Sequence, residues 1–235
     1  MPVGWRSLQS VNRQVNVRHL LQPRVLNSAV PAALVSALAS YPRLSLWPNR
    51  SAPVWYLEGM IFLCSIVLWG FVFAWHTHYT RRPVFALKIQ PRLFAAATAI
   101  GIATAAAFHQ WLDPSLRAKI PEEYPADLTH WLAQLLFVML LSQLFLLFAS
   151  FAWLMRLCKN LRVSASLTVL FGVGVFAMRM HTLTTPLPPP LMAVLLAGKV
   201  ATGFLAVWFY LRGGVLLIWW WTFLFEARHL LNLNE

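Results

Sequence analysis

Three polar residues near the end of the chain stand three apart: Glu226, His229 and Asn232, in WWWTFLFEARHLLNLN. On a helix that spacing makes one polar stripe. An ExxH pair points carboxylate and imidazole the same way, the arrangement that holds a metal. Di-iron bundles need two such pairs and additional glutamates. This chain has a single ExxH, so no metal site is expected. His76 and His78 are two apart and do not share a helix face. The competing reading of the stripe is a polar helix end leaving a membrane.

Other polar residues stand inside apolar runs, where a charge is costly and marks a functional candidate. Lys199 lies midway along LLAGKVATG, and Glu226 is a candidate partner for it from the neighbouring helix. Ser142 and Gln143 lie midway along another run, where the alternative role is hydrogen bonding between helices. Arg179 and His181 end a third run, and Arg179 can reach back to the surface. Glu58 enters its run by only one turn, which also suits an interfacial carboxylate.

The elements that must carry these residues are membrane helices. The 235 residues are 59% hydrophobic and only 11% charged, against about a quarter charged in soluble domains. The apolar residues come in blocks near the roughly 20 residues that cross a bilayer core. Six blocks are clear: 54–75, 93–112, 131–154, 163–180, 191–211 and 215–231. The block 93–112 is rich in Ala and Gly and suits close helix packing. The expected fold is an all-α, polytopic helical bundle over 51–235. Before it lies a basic segment, 1–50, with six arginines and no acid. Within it, 25–40 is moderately apolar but interrupted by Pro31. It reads either as a weak seventh span or as a helix on the membrane surface.

The net charge of +12, from 19 Lys+Arg against 7 Asp+Glu, suggests nucleic acid in a soluble protein. Here the basic residues sit between apolar blocks, at 76–92, 155–162 and 212, on one side of an alternating topology. The acidic stretch 113–130 and the uncharged-to-basic HTLTTPLPPP linker fall on the other. That is the positive-inside pattern. It places the basic loops in the cytoplasm of a multi-pass protein of the inner (plasma) membrane, in contact with lipid and without nucleic acid. Trp55, Trp75, Trp111, Trp131 and Trp153 stand near span ends, as interface anchors do. Cys64 and Cys158 offer neither a disulfide framework nor a CxxC site. No P-loop, GxSxG, HExxH or GxGxxG is present, and nothing names a cofactor.

The C-terminal half resembles the CPBP family of intramembrane proteases (CAAX-processing and bacteriocin-processing enzymes). That family shows a helix with EExxxR, a basic loop, a helix ending in FxxxH, a small-residue helix running into a YLRTGS-like turn, and a last helix with HxxxN. Here MRLCKNLR follows a span, SASLTVLFGVGVFAMRMH ends in His181, and AGKVATGFLAVWFYLRGGVLLIWWW resembles the helix, turn and helix that follow. FEARHLLN occupies the place of the last motif. Ser142-Gln143 stand where the glutamate pair belongs, and Phe148 stands in place of the arginine. Phe176 precedes His181 by five, and the last motif reads Glu226, His229, Asn232. Glu122-Glu123 form a pair, but in a loop at the wrong distance from His181.

The resemblance implies a catalytic set of Glu226, His229, His181 and Asn232, with Gln143, Ser142 and Lys199 contacting substrate. Because Gln143 cannot take up a proton at neutral pH, the family's general base is missing. The expected protein is therefore a divergent or non-proteolytic member that binds a peptide or protein segment in the membrane; if it is an enzyme, it is an intramembrane endopeptidase. It requires Gln143, His181 and the Glu226/His229 stripe to share one cavity. Two other readings stand beside it. One is an assembly subunit of a membrane complex, and the other is a small-solute carrier lined by Lys199 and Glu226.

Overall fold

The computed structural model describes residues 20–47, 52–121, 124–182 and 186–233. Six stretches among them are helical, long and apolar enough to cross a membrane: Pro23–Ser45 (α1), Val54–Thr80 (α2), Pro91–Arg117 (α3), Leu128–Cys158 (α4), Leu161–His181 (α5) and Pro189–Leu231. At 1.5 Å per residue the last, of 43 residues, would reach about 65 Å, twice a bilayer core. It does not run straight. Gly214 breaks it with φ 66° and ψ −164°, a conformation that only glycine adopts without strain. Phe209 and Trp221, on either side of the break, bring their ring centroids within 5.9 Å. The chain therefore reverses at Gly214, giving α6 (189–213) and α7 (215–226), followed by the 3₁₀ helix Ala227–Asn232. The sixth stretch is thus two helical arms, so the six apolar stretches of the described residues supply seven long helices, α1 to α7. The fold is all-α.

Sequence chemistry accounts for the helix ends. Proline opens α1, α3 and α6, where its missing N–H costs nothing and its fixed φ suits the first turn. The Asp127 carboxylate accepts from the backbone N–H of His130 at the start of α4, and Asn160 caps α5 through the N–H groups of Arg162 and Val163. Only Lys159 and Asn160 separate α4 from α5, which forces the two to pack as antiparallel neighbours. Four π-helical turns interrupt the passes, at Val72–His76, Phe108–Leu112, Val138–Ser142 and Leu144–Ala149. Such turns are rare and concentrate at functional sites.

The stretch 25–40 lies in a helix long and apolar enough to cross a membrane, and Pro31 does not break it: α1 runs unbroken from Pro23 to Ser45. The small residues Ala29, Ala33, Ser36, Ala37 and Ser40 form its buried face, and α1 packs lengthwise against α2. The Ser36 hydroxyl donates to the Ala32 carbonyl (3.0 Å) and accepts from Trp69 Nε1 (2.9 Å). Ala29 and Ala33 belong to the same core as Trp69, Phe148, Phe209 and Trp221. Residues 23–45 of the N-terminal segment are thus part of the bundle. Of the tryptophans expected at interfaces, Trp55, Trp111 and Trp153 are exposed, but Trp75 and Trp131 are buried. Trp75 stacks on Phe71 and lies under the Arg156 guanidinium; Trp131 donates Nε1 to the Glu226 carbonyl (2.9 Å).

Candidate functional site

An inner cavity of about 390 Å³ lies among α3, α4, α5, α6 and α7. Its wall is mostly apolar, with Leu146, Val169, Val173, Phe176, Val207 and Phe225 among the lining residues. Several of the polar residues that the sequence singles out line it. Ser142 and Gln143 come from α4, Lys199 from α6, and Glu226 and His229 from the end of α7 and the 3₁₀ helix. The 3₁₀ geometry, near three residues per turn, stacks positions three apart more closely than an α-helix does. The Glu226 and His229 side chains accordingly meet, with Oε2 3.6 Å from Nε2. Both residues are buried, so the stripe is an interior feature and not an exposed helix end.

Gln143 is held in place. Its Nε2 donates to Thr222 Oγ1 across the α4–α7 interface (3.2 Å). The Trp219 indole donates to the Met139 carbonyl one turn away (2.8 Å). Met139 and Ser142 fall within the π-helical turn Val138–Ser142, whose widened ladder shifts the register next to Gln143. Lys199 and Glu226 face the same cavity from antiparallel helices, as the sequence suggested, but without direct contact. The Lys199 ammonium instead lies 5.9 Å from the centre of the Phe176 ring, where the negative face of the π-system attracts it.

His181 is not part of this constellation. It is exposed at the end of α5, whereas Arg179 and Met180, two residues and one residue earlier, line the cavity. Helical geometry is the reason: successive positions are 100° apart, so a motif off by one turns its histidine to another face. The side chain of Asn232 and the pair Glu122-Glu123 lie outside the described residues. Glu58 is half-buried near the start of α2, away from the cavity, and neither of its carboxylate oxygens has a hydrogen-bond partner among the described residues.

Beside the cavity is a polar cluster that sequence reasoning did not isolate. Asp113 accepts from Arg228 Nε at Oδ2 (3.1 Å) and from the Tyr124 hydroxyl at Oδ1 (2.9 Å). Arg228 also donates to the Phe225 carbonyl (2.8 Å) and lies 4.0 Å over the Phe225 ring. Arg117 lies over Tyr124, and the His229 ring meets Tyr124 edge-on at 5.2 Å. In the loop before α4, burial, followed by the nearby Asp113 charge, pushes the Tyr124 hydroxyl well above its usual titration range; it remains a proton donor. His229 Nδ1 is buried and without a hydrogen-bond partner among the described residues. The only signal for this cluster in the sequence was FEARH itself, where Arg228 stands between the two stripe residues on another face.

Chemically the cavity offers a carboxylate–imidazole pair, an amide, hydroxyls and an ammonium in a largely apolar enclosure. No group of three or more His, Cys, Asp or Glu side chains arranged to hold a metal occurs among the described residues. Fold and site together define a polytopic helical membrane protein with an internal, partly charged cavity. Comparison with protein-family models, with curated proteins and with solved structures finds no match for the chain.

Proposed function

We propose that the protein is a non-proteolytic membrane-embedded binding protein, related in design to the CPBP intramembrane proteases, that takes a peptide segment into its inner cavity. The observation that carries this reading is the convergence of Gln143, Lys199, Glu226 and His229 on one cavity. Sites for small ligands are mostly apolar cavities of roughly 300–1,000 Å³ with a few placed polar groups, and about 390 Å³ suits a short stretch of chain. An amide at Gln143, tied to Thr222, can hydrogen-bond a peptide backbone but cannot activate water. With His181 turned outward, the family's histidine is also absent from the cavity. The basic ends of the passes face the cytoplasm in this reading, in a plasma membrane.

The test is binding of a fluorescent apolar peptide to the purified protein in nanodiscs. The expected result is saturable binding without cleavage. Binding should be lost in Gly172→Phe, because Gly172 lines the cavity and a Cβ there meets nothing within 4 Å. Cleavage of the peptide would sink the non-proteolytic part, and equal binding by Gly172→Phe would sink the site.

A second reading, a carrier for a small solute, draws on Lys199 from α6 and Glu226 from α7 lining the same cavity. It expects solute flux into liposomes that falls in Lys199→Ala; flux unchanged by that substitution counts against it.

A further inference from the structure

A second cavity, of about 590 Å³, lies at the opposite end of the bundle, between the 81–90 loop and the Gly214 turn. Arg82, Lys88, Gln90 and Arg212 supply its polar lining, and Leu93 and Leu211 its apolar side. No carboxylate of the described residues lines it. The four carboxylates of the described residues, Glu58, Asp113, Asp127 and Glu226, all stand at or near the other ends of their passes. Three cations therefore line one cavity without a carboxylate of the described residues beside them.

This site is built rather than accidental. Val84 O accepts from the N–H of Val215 (3.0 Å), which joins the loop to the start of α7. Gly214 permits that approach, since a Cβ there would stand 2.5 Å from Val84 O. Arg82 Nη1 donates to the Leu211 carbonyl, which aims the guanidinium along the turn. Arg212 lies 5.1 Å over the ring of Trp208, which is 39% exposed on the outer face of α6. An aromatic ring at a span end marks the headgroup level of a bilayer. By that criterion Trp208 puts the neighbouring cavity at headgroup level, with Leu93 and Leu211 on its apolar side.

We propose that this cavity holds the phosphate of an anionic phospholipid, bridged by Arg82, Lys88 and Arg212, with acyl chain lying along Leu93 and Leu211. Basic pockets between membrane helices select anionic headgroups in this way, and the guanidinium fork suits a phosphate. The assignment is independent of what the inner cavity binds.

The test uses the full chain, delipidated in neutral detergent, and follows its thermal unfolding and its lipid adducts by native mass spectrometry. The probes are phosphatidylglycerol, phosphatidylcholine and inorganic phosphate. Phosphatidylglycerol is expected to bind and raise the melting temperature, and the other two to do neither. Lys88→Gln combined with Arg212→Gln should weaken phosphatidylglycerol by roughly thirtyfold, from about tenfold or less per cation. That pair spares the Arg82 bond to Leu211. Lys119→Gln, an exposed lysine at the other end, should bind as the parent does. Equal binding of phosphatidylcholine, an equal shift with phosphate alone, or an unaltered double variant would each overturn the proposal.

Discussion

Asp113 and Arg228, 115 positions apart, form an ion pair with Nε 3.1 Å from Oδ2. It fastens the end of α3 to the 3₁₀ helix that carries His229. The side chains are 2% and 10% exposed, so neither charge is well solvated on its own. Removing one partner of a buried pair costs about 3–5 kcal/mol, because the other charge is left uncompensated. Asp113→Leu is therefore expected to destabilise the bundle by that amount, and Asp113→Leu with Arg228→Met by less than the single change. Thermal unfolding in detergent checks this; a double variant worse than the sum of both singles would refute the pairing.

Gly214→Ala is expected to abolish folding. The positive φ strains any L side chain, and the new Cβ would meet the Val84 carbonyl at 2.5 Å. Gly101→Ala should be milder, since the atoms it meets at 3.0–3.2 Å belong to the side chains of Leu224 and Trp221, which can shift. Monodispersity on size exclusion compares the two; a folded Gly214→Ala protein would contradict the reversal at that residue.

Trp69 and Ser36 tie α1 to α2. Trp69→Ala should cost about 3–5 kcal/mol for the cavity left in the core. Ser36→Ala should cost about 1–3 kcal/mol, because it leaves the Trp69 indole N–H without a partner. Unfolding midpoints in mixed detergent separate the two. Equal stability of Ser36→Ala and the parent would mean that α1 is not held at this point.

Asp127, at the start of α4, is held below the usual carboxylate range, first by the His130 N–H (2.8 Å) and next by the His130 side chain. A depressed folded pKa contributes stability that is present above the unfolded value and is lost as pH falls through the folded one. Melting temperature should therefore decline in acid less steeply for Asp127→Asn than for the parent. The two profiles should converge below the folded pKa. Parallel profiles would contradict the assignment.

The apolar helices from α2 onward were legible because each is a block of apolar residues, whereas 25–40 stayed open between a span and a surface helix; the break at Arg212-Gly213-Gly214 was legible because glycine suits it. The meeting of Glu226 with His229 followed from helical spacing, whereas spacing left Glu226 only a candidate partner for Lys199, which lies by Phe176 instead. The continuity of α1 through Pro31 was not legible. Proline costs a hydrogen bond within the helix, and what offsets it is packing of Ala29, Ala33 and Ser36 against α2, a tertiary fact. The inward turn of Trp75 and Trp131 is tertiary too, set by the π-helical turn at Val72–His76 and by the Glu226 carbonyl that Trp131 meets. The Asp113–Arg228 pair joins residues too distant in sequence for spacing to reveal. That His181 lies outside the cavity was not legible for the opposite reason: position along the chain does not give helix face.

The inner cavity is most directly tested by placing a photoreactive amino acid at Gln143 and irradiating the protein in its own membrane. A second copy carries the probe at Met60 on the exposed face of α2. If the cavity takes a peptide segment, Gln143 yields a discrete polypeptide adduct that Gly172→Phe abolishes, while Met60 yields lipid adducts that are unchanged by Gly172→Phe. Adducts at Gln143 that consist of lipid alone, or that persist in Gly172→Phe, would contradict the assignment of the cavity as a peptide-binding site.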